Sequence, residues 1–162
     1  MIFRVLSSNY LIDIGVLSWI IAQLLKTVAY YVKNKIFDFK TLSGSGGMPS
    51  AHSALVCSVA VGTAYKYGFS SPYFSFAITL ALIVMYDAMG VRRAAGEQAK
   101  AINEIREYLK KTETKLPDGA ACSAHSIRRL DESLGHKPIE VFAGAVLGTC
   151  VAVASIVLLH WA

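Results

Sequence analysis

Long apolar segments alternate with shorter polar ones along this chain, and the pattern predicts four helices. The apolar segments cover Leu11–Val32, Ala51–Tyr67, Tyr73–Met89 and Ile139–Trp161. Each approaches or reaches the roughly 20 residues that an α-helix needs to cross a bilayer. The second and third are short and contain polar residues, so either one alone also fits the buried helix of a soluble bundle. Together the four favour an all-α fold, an integral membrane helical bundle with about four membrane helices.

The region after the third apolar segment has a different periodicity. From Ala94 to about Lys111, apolar residues recur three and four positions apart, which places them on one side of a helix. They are Ala95, Ala99, Ile102, Ile105 and Leu109. We therefore expect the third helix to continue out of the membrane as an amphipathic extension. Gly68 is typical of the end of the second helix and Pro72 of the first turn of the third.

Composition supports a membrane protein. Hydrophobic residues make up 54% of the chain and charged residues 17%, and the mean hydropathy is +0.47, which is more apolar than an ordinary soluble domain. A length of 162 residues predicts one domain, so residues 1–162 are expected to form a single membrane-embedded domain. The first apolar segment is too long for the core of a cleaved signal peptide. No nucleic-acid partner is expected.

Basic residues are concentrated in two connections between the predicted spans. With four spans, residues 33–40 and 92–137 lie on the same side of the membrane, and they hold most of the 16 lysines and arginines. Because cytoplasmic loops carry an excess of these residues, we expect both connections in the cytoplasm of a bacterial-type cell membrane. The polar motifs at the adjoining helix ends would then form a site on the cytoplasmic side.

The first candidate motif, Ser45–Ser53, has the parts of an anion site. Its paired glycines allow the backbone to turn and to approach a ligand closely, and Pro49 fits the first turn of a helix. The amide groups and the dipole of that turn favour a phosphate, and a histidine can exchange a proton near neutral pH. The candidate residues are Gly46, Gly47, Ser50 and His52. The alternative is an ordinary glycine turn that caps a helix.

The second candidate motif opens the fourth helix. His136 and Glu140 are four residues apart, so in a helix they share a face. A carboxylate on one imidazole nitrogen orients the ring and leaves the other nitrogen free as a base, nucleophile or ligand. Alternatively, His136 is only a residue of the first helical turn and Glu140 its surface neighbour. Pairing is favoured because Glu140 faces an apolar segment, where an unpaired carboxylate is costly.

Further charged residues adjoin these motifs. Lys26, near the end of the first apolar segment, either snorkels to the membrane interface or reaches toward the anion site. Arg92 and Arg93 follow the third segment, and guanidinium groups bind phosphate oxygens bidentately. Asp87 either pairs with one of these arginines or helps to hold a divalent ion. The three cysteines are far apart and predict no zinc site, and no other metal site is predicted.

Three segments, in this order, resemble the divergent type-2 phosphatidic acid phosphatase (PAP2) family, which is related to the acid phosphatase and vanadium-dependent haloperoxidase superfamily. They are Gly-Gly-Met-Pro-Ser-Ala-His-Ser, Tyr-Asp-Ala-Met-Gly-Val-Arg-Arg-Ala-Ala-Gly-Glu-Gln-Ala and Leu-Gly-His-Lys-Pro-Ile-Glu-Val-Phe-Ala-Gly. The resemblance covers about residues 26–148. It implies a membrane lipid phosphatase that hydrolyses a phosphomonoester or pyrophosphate, phosphatidate-like or polyprenyl, through a phosphohistidine and without a metal or other cofactor.

The resemblance also implies roles for individual residues. His136 would be the nucleophile, Glu140 its acidic partner and His52 the acid that protonates the leaving oxygen. The phosphate-binding residues would be Gly46, Gly47, Ser50, Arg92, Arg93 and Lys26.

Two departures from the superfamily pattern bear on these roles. A Lys-x6-Arg-Pro element is missing ahead of the glycine turn, and Leu130 stands where the third motif has an arginine; Arg92 and Arg93 are candidates to supply the charge. The alternative function is therefore a non-catalytic binder or transporter of a phosphorylated lipid. Four spans are also fewer than the superfamily's usual helical core, which leaves open a homodimer that completes the bundle.

Overall fold

The computed structural model describes residues 9–35, 47–113, 129–132 and 134–160, and every regular element in these ranges is an α-helix. The helices are α1 (Tyr10–Asn34), α2 (Ala51–Tyr67), α3 (Pro72–Met89), α4 (Val91–Glu113) and α5 (Pro138–His160). The four predicted apolar segments coincide with α1, α2, α3 and α5. The all-α prediction is therefore confirmed.

The start of α2 differs from the prediction. The helix begins at Ala51, and Pro49 lies before it rather than in its first turn. Ser50 is the N-cap because its hydroxyl accepts a hydrogen bond from the Ser53 amide, with 3.4 Å between Oγ and N. A serine oxygen at this position satisfies one of the amides that a helix start leaves without a partner. Proline has no side-chain acceptor and cannot replace it.

The turn between α2 and α3 follows the prediction. Gly68 is the C-cap of α2 with a φ of 83°. Ser71 is the N-cap of α3, and its Oγ accepts a hydrogen bond of 3.2 Å from the Phe74 amide. Pro72 occupies the first turn, where its missing N–H leaves no hydrogen bond unmade.

The central element of the fold is α2, which packs against α1, α3 and α5. Its buried residues are almost all small; they are Ala51, Ser53, Ala54, Val56, Ser58, Ala60, Gly62, Thr63 and Ala64. Small residues let helices approach closely, which favours association inside a membrane, where no hydrophobic driving force brings helices together. The buried hydroxyls bond to nearby carbonyls, as Ser58 does to Leu55 at 2.8 Å and Thr63 to Val59 at 2.7 Å.

Two glycines let α5 lie directly on the backbone of α2. Gly144 faces the carbonyl oxygen of Ser50, and Gly148 faces that of Ala54. A methyl group at either glycine would collide with these main-chain atoms. The start of α2 and the first half of α5 are therefore held at a separation that only glycine permits.

Within the part of the chain that the structure describes, three stretches are long and apolar enough to cross a membrane, namely Tyr10–Val32, Pro72–Lys111 and Pro138–Leu158. The second contains α3 and most of α4. Of α3 only Ala81 and Ala88 are buried, so most of its apolar side chains face outward, as expected for a helix in lipid. These spans pack around α2, and the protein is an integral membrane bundle. The predicted extension of the third helix is confirmed as the amphipathic α4, which begins after a break at Gly90.

Replacing Gly148 by alanine should destabilise the bundle. Alanine favours a helix over glycine by about 1 kcal/mol, but its methyl group would meet main-chain atoms of α2 that cannot rotate away. We expect a lower midpoint of thermal unfolding in detergent, with Thr149→Ala, a change at the exposed neighbouring position, as the control. An unchanged or higher midpoint for Gly148→Ala would contradict the close approach of α5 to α2.

Candidate active site

Four segments distant in sequence meet at one end of the bundle: the end of α1, the start of α2, the junction of α3 with α4, and the start of α5. Two backbone hydrogen bonds join the last three of these segments. The Ser50 amide donates to the carbonyl of Glu140 at 2.9 Å, and the His136 amide donates to the carbonyl of Ala88 at 3.0 Å. The three motifs found in the sequence therefore come together in space.

His136 and Glu140 form the predicted pair. Nδ1 of His136 lies 3.1 Å from Oε2 of Glu140, and the imidazole side chain is only 3% exposed. The expected helical geometry is wrong, because His136 precedes the first residue of α5, Pro138. Instead, the same Oε2 accepts a hydrogen bond of 3.0 Å from the Lys137 amide, as a glutamate does when it caps a helix start. This bond directs the carboxylate back toward His136.

The other ring nitrogen of His136 is the most distinctive atom of the site. Nε2 is buried and has no hydrogen-bond partner among the described residues. Since Glu140 accepts a hydrogen bond most readily from a protonated Nδ1, the neutral ring carries its lone pair on Nε2. A buried polar atom without a partner is costly, and its retention is typical of an atom that contacts a ligand.

A pocket of about 140 Å³ lies beside this histidine. Its polar lining consists of His52, Asp87, Arg92 and His136, and the remaining wall is formed by Gly135 and by Ile83, Val84 and Ala88 of α3. The two histidines predicted to be catalytic thus line one pocket together with one of the two predicted arginines. The volume is sufficient for a small anionic group.

His52 stands in the first turn of α2, outside the three spans. The side chain of His52 is partly open to solvent. Even so, the surrounding atoms desolvate the ring enough to lower the pKa of His52 below its ordinary value. The positive charge of Arg92 lowers this pKa further, with smaller contributions from His136 and Lys26. A negatively charged group in the pocket would oppose these effects and favour the protonated ring.

Arg92 and Asp87 form an ion pair, with 2.6 Å between Nε and Oδ2. This contact is the pairing that the sequence offered as one role of Asp87. Both side chains are partly exposed, and exposed ion pairs contribute no more than about 1 kcal/mol to stability, so the contact mainly orients the guanidinium group. Within the described residues, no group of three or more histidine, cysteine, aspartate or glutamate side chains is arranged to hold a metal.

Arg93 is not part of the pocket lining. Its backbone instead supports the segment that carries His136. Gly135 has a φ of 88°, and a side chain there would collide with main-chain atoms of Arg93. Glycine is thus required at position 135 both by its backbone conformation and by this contact.

Three further predicted phosphate ligands, Lys26, Gly47 and Ser50, are not part of the pocket lining. Lys26 is 4% exposed, so it does not snorkel; its stem lies against Gly47, and its charge interacts with that of Glu140. Ser50 is fully buried, and its Oγ accepts hydrogen bonds from Ser53 Oγ at 3.0 Å and from the Ser53 amide. Gly46 lies outside the described residues.

Comparison with known proteins identifies the family of the chain. Residues 7–151 match the Divergent PAP2 family. The chain belongs to this family. It is also similar to the uncharacterized membrane protein YuiD of Bacillus subtilis (strain 168), with 38% identity over 130 residues that cover 80% of this chain and 82% of the relative. No solved structure matches the chain.

One residue of this divergent PAP2 protein was not anticipated from its sequence. Asn103 of α4 is 5% exposed and binds the segment that precedes His136. Its Nδ2 donates to the carbonyl of Leu130 at 2.9 Å and to Glu132 at 2.8 Å, and its Oδ1 accepts from the Leu130 amide at 3.0 Å. The sequence did contain a signal for this residue: Asn103 lies four residues after Ala99, so its amide side chain stands on the apolar face of the amphipathic helix. Such an amide indicates a polar partner for that face.

The Arg92→Gln variant of this PAP2 protein should raise the pKa of His52. Removing a nearby positive charge stabilises the protonated imidazole, so His52 should gain its proton at a higher pH than in the wild type. Histidine NMR titration in detergent measures this, with Arg106→Gln as the control because Arg106 pairs with Glu107 on α4 instead. An unchanged His52 titration in Arg92→Gln would refute the proximity of the two groups.

Proposed function

We propose that this divergent PAP2 protein is a membrane lipid phosphatase that hydrolyses the phosphomonoester or pyrophosphate of a phosphatidate-like or polyprenyl lipid through a phosphohistidine. The observation that carries the proposal is the pocket beside His136. There a buried imidazole oriented by Glu140 keeps an unpartnered Nε2, and His52 and Arg92 line the same space. In this proposal His136 supplies the nucleophile, His52 the proton donor and Arg92 the positive charge.

In the first step, Nε2 of His136 attacks the phosphorus atom. A P–N bond forms, the P–O bond to the lipid breaks, and protonated His52 gives its proton to the leaving lipid oxygen. The ring of His136 becomes positively charged as it is phosphorylated, and the carboxylate of Glu140 on Nδ1 stabilises that charge. Burial of His136 keeps competing water away from the nucleophile until a substrate is bound.

In the second step, water replaces the histidine. Neutral His52 removes a proton from the water molecule, the water oxygen attacks phosphorus, and the P–N bond breaks to release inorganic phosphate. His136 regains its neutral form and His52 its proton, so the cycle is complete. One imidazole thus acts first as general acid and then as general base.

Positive charge around the phosphate oxygens accounts for much of the catalysis in phosphoryl transfer. Arg92 binds Asp87 through Nε and lines the pocket, so its guanidinium group is placed to bind the phosphate. Lys26 is not part of the pocket lining and acts through its charge, which also affects His52. Arg93 and Ser50 act through the backbone and the helix cap, as supports of the pocket rather than as direct ligands.

Variants of the three catalytic residues test the proposal. His136→Ala should abolish phosphate release, His52→Ala should reduce it by about 100-fold or more, and Glu140→Gln by about 10- to 100-fold. The measurement is phosphate release by purified protein in detergent from phosphatidate and polyprenyl phosphates and pyrophosphates, without added metal and with vanadate as inhibitor.

The matched control is His160→Ala. His160 ends α5, and at 1.5 Å per residue it lies roughly 33 Å along the helix from the end that carries the site. Its replacement should leave phosphate release unchanged. If wild type releases no phosphate but still binds the lipid phosphates in a saturable manner, the protein is a binder or transporter rather than a phosphatase.

We place the site on the cytoplasmic side because the two basic connections adjoin the same end of the bundle. In a cysteine-free background, Lys100→Cys on α4 and Phe69→Cys in the turn between α2 and α3 report on opposite ends; both positions are exposed. In right-side-out vesicles, a membrane-impermeant maleimide should label Phe69→Cys at once and Lys100→Cys only after permeabilisation. The reverse order would place the site outside.

A further inference from the structure

An apolar groove lies on the outer surface of the bundle, between the end of α3 and the start of α5. It encloses about 860 Å³. Its walls include Met85, Tyr86 and Met89 of α3 and Val141, Phe142 and Ala145 of α5. Tyr86 and Phe142 are 76% and 66% exposed, an unusual exposure for aromatic side chains unless lipid or another apolar partner covers them.

The groove and the phosphate pocket are adjacent. Ile83 and Asp87 of α3 belong to the lining of both. Among the described residues that line the groove, Asp87 is the one side chain that carries a charge at neutral pH, and it stands at the junction, where it pairs with Arg92. The surface therefore changes from apolar to charged at one place, as the surface of a lipid phosphate does between its chain and its headgroup.

The position of the groove would give a lipid access to the pocket from the side of the bundle. Both α3 and α5 belong to stretches apolar enough to cross a membrane, and both pack on α2. The opening between their outer faces would therefore meet the bilayer rather than water.

We infer that this groove binds the hydrocarbon chain of the phosphorylated lipid while its phosphate occupies the pocket beside His136, so that the substrate enters laterally from the bilayer. The inference rests on the proposed function in one respect: the pocket must be the phosphate site. It adds a requirement that the chemistry alone does not impose, namely that recognition depends on the chain as well as on the phosphate.

Photolabelling tests the groove without requiring turnover. The protein is placed in phosphatidylcholine vesicles with a phosphatidate that carries a diazirine in its acyl chain, and labelled residues are mapped by mass spectrometry. We expect labelling of groove residues such as Phe142 that excess phosphatidate or polyprenyl phosphate suppresses; the more effective competitor identifies the preferred chain. A diazirine-bearing phosphatidylcholine should label these residues only weakly.

A bulky residue should close the groove. Ala145→Trp places an indole among its walls, and we expect it to reduce specific labelling by roughly tenfold or more. The matched control is Ala154→Trp, because Ala154 is another alanine of α5, exposed where Ala145 is partly buried, and is not part of the groove lining. Both are compared with wild type for thermal unfolding, so that a folding defect is recognised.

The outcomes separate this inference from the proposed function. Competed labelling that Ala145→Trp removes supports the groove, even if no phosphate is released and the phosphatase proposal fails. Labelling that phosphatidylcholine matches, or that Ala145→Trp leaves unchanged, shows ordinary boundary lipid and overturns the inference, even if phosphate release depends on His136. When turnover is present, Ala145→Trp should lower kcat/KM for long-chain phosphatidate far more than for a short-chain analogue.

Discussion

The close contact between α2 and α5 determines where the reactive groups lie. Because Gly144 and Gly148 have no side chains, α5 rests on the carbonyl groups of α2, and the Ser50 amide bonds to the carbonyl of Glu140. The first turns of two helices distant in sequence are thus joined main chain to main chain. His52 is carried by one of these turns and Glu140 by the other, so their relative position depends on backbone packing rather than on flexible side chains.

The packing of α5 against α2 buries several polar groups near the start of α5. Glu140 satisfies the Lys137 amide and one nitrogen of His136, and Lys26 places a positive charge near the same carboxylate. Inside a membrane protein such groups are costly without partners, and the cluster supplies partners for all but Nε2 of His136. The atom left over is the one that the proposed chemistry requires. Beside this charged pocket lies the apolar groove, so the charged and the apolar surfaces are adjacent but distinct.

Much of the fold followed from local pattern. Apolar segments predicted the spans and α2 to within a few residues, and Pro72 predicted the first turn of α3, because hydrophobic length and backbone restriction act within one element. Predictions that depended on contacts between elements were less accurate. Arg93 was predicted to bind phosphate together with Arg92, but only Arg92 lines the pocket, and the backbone of Arg93 lies against Gly135. Asn103 was not anticipated, since its partners lie 27 and 29 residues away in sequence.

The sequence by itself determined the helical membrane architecture, the amphipathic α4 and the identity of the chemical groups, because hydrophobicity, periodicity and side-chain chemistry are local properties. It also identified the pairing of His136 with Glu140, which are only four residues apart. Only the tertiary structure decided that His52, Arg92 and His136 line one pocket, that Nε2 lacks a partner, and that an apolar groove adjoins the pocket. These features arise from the separation and orientation of packed helices, which depend on contacts between residues far apart in the chain.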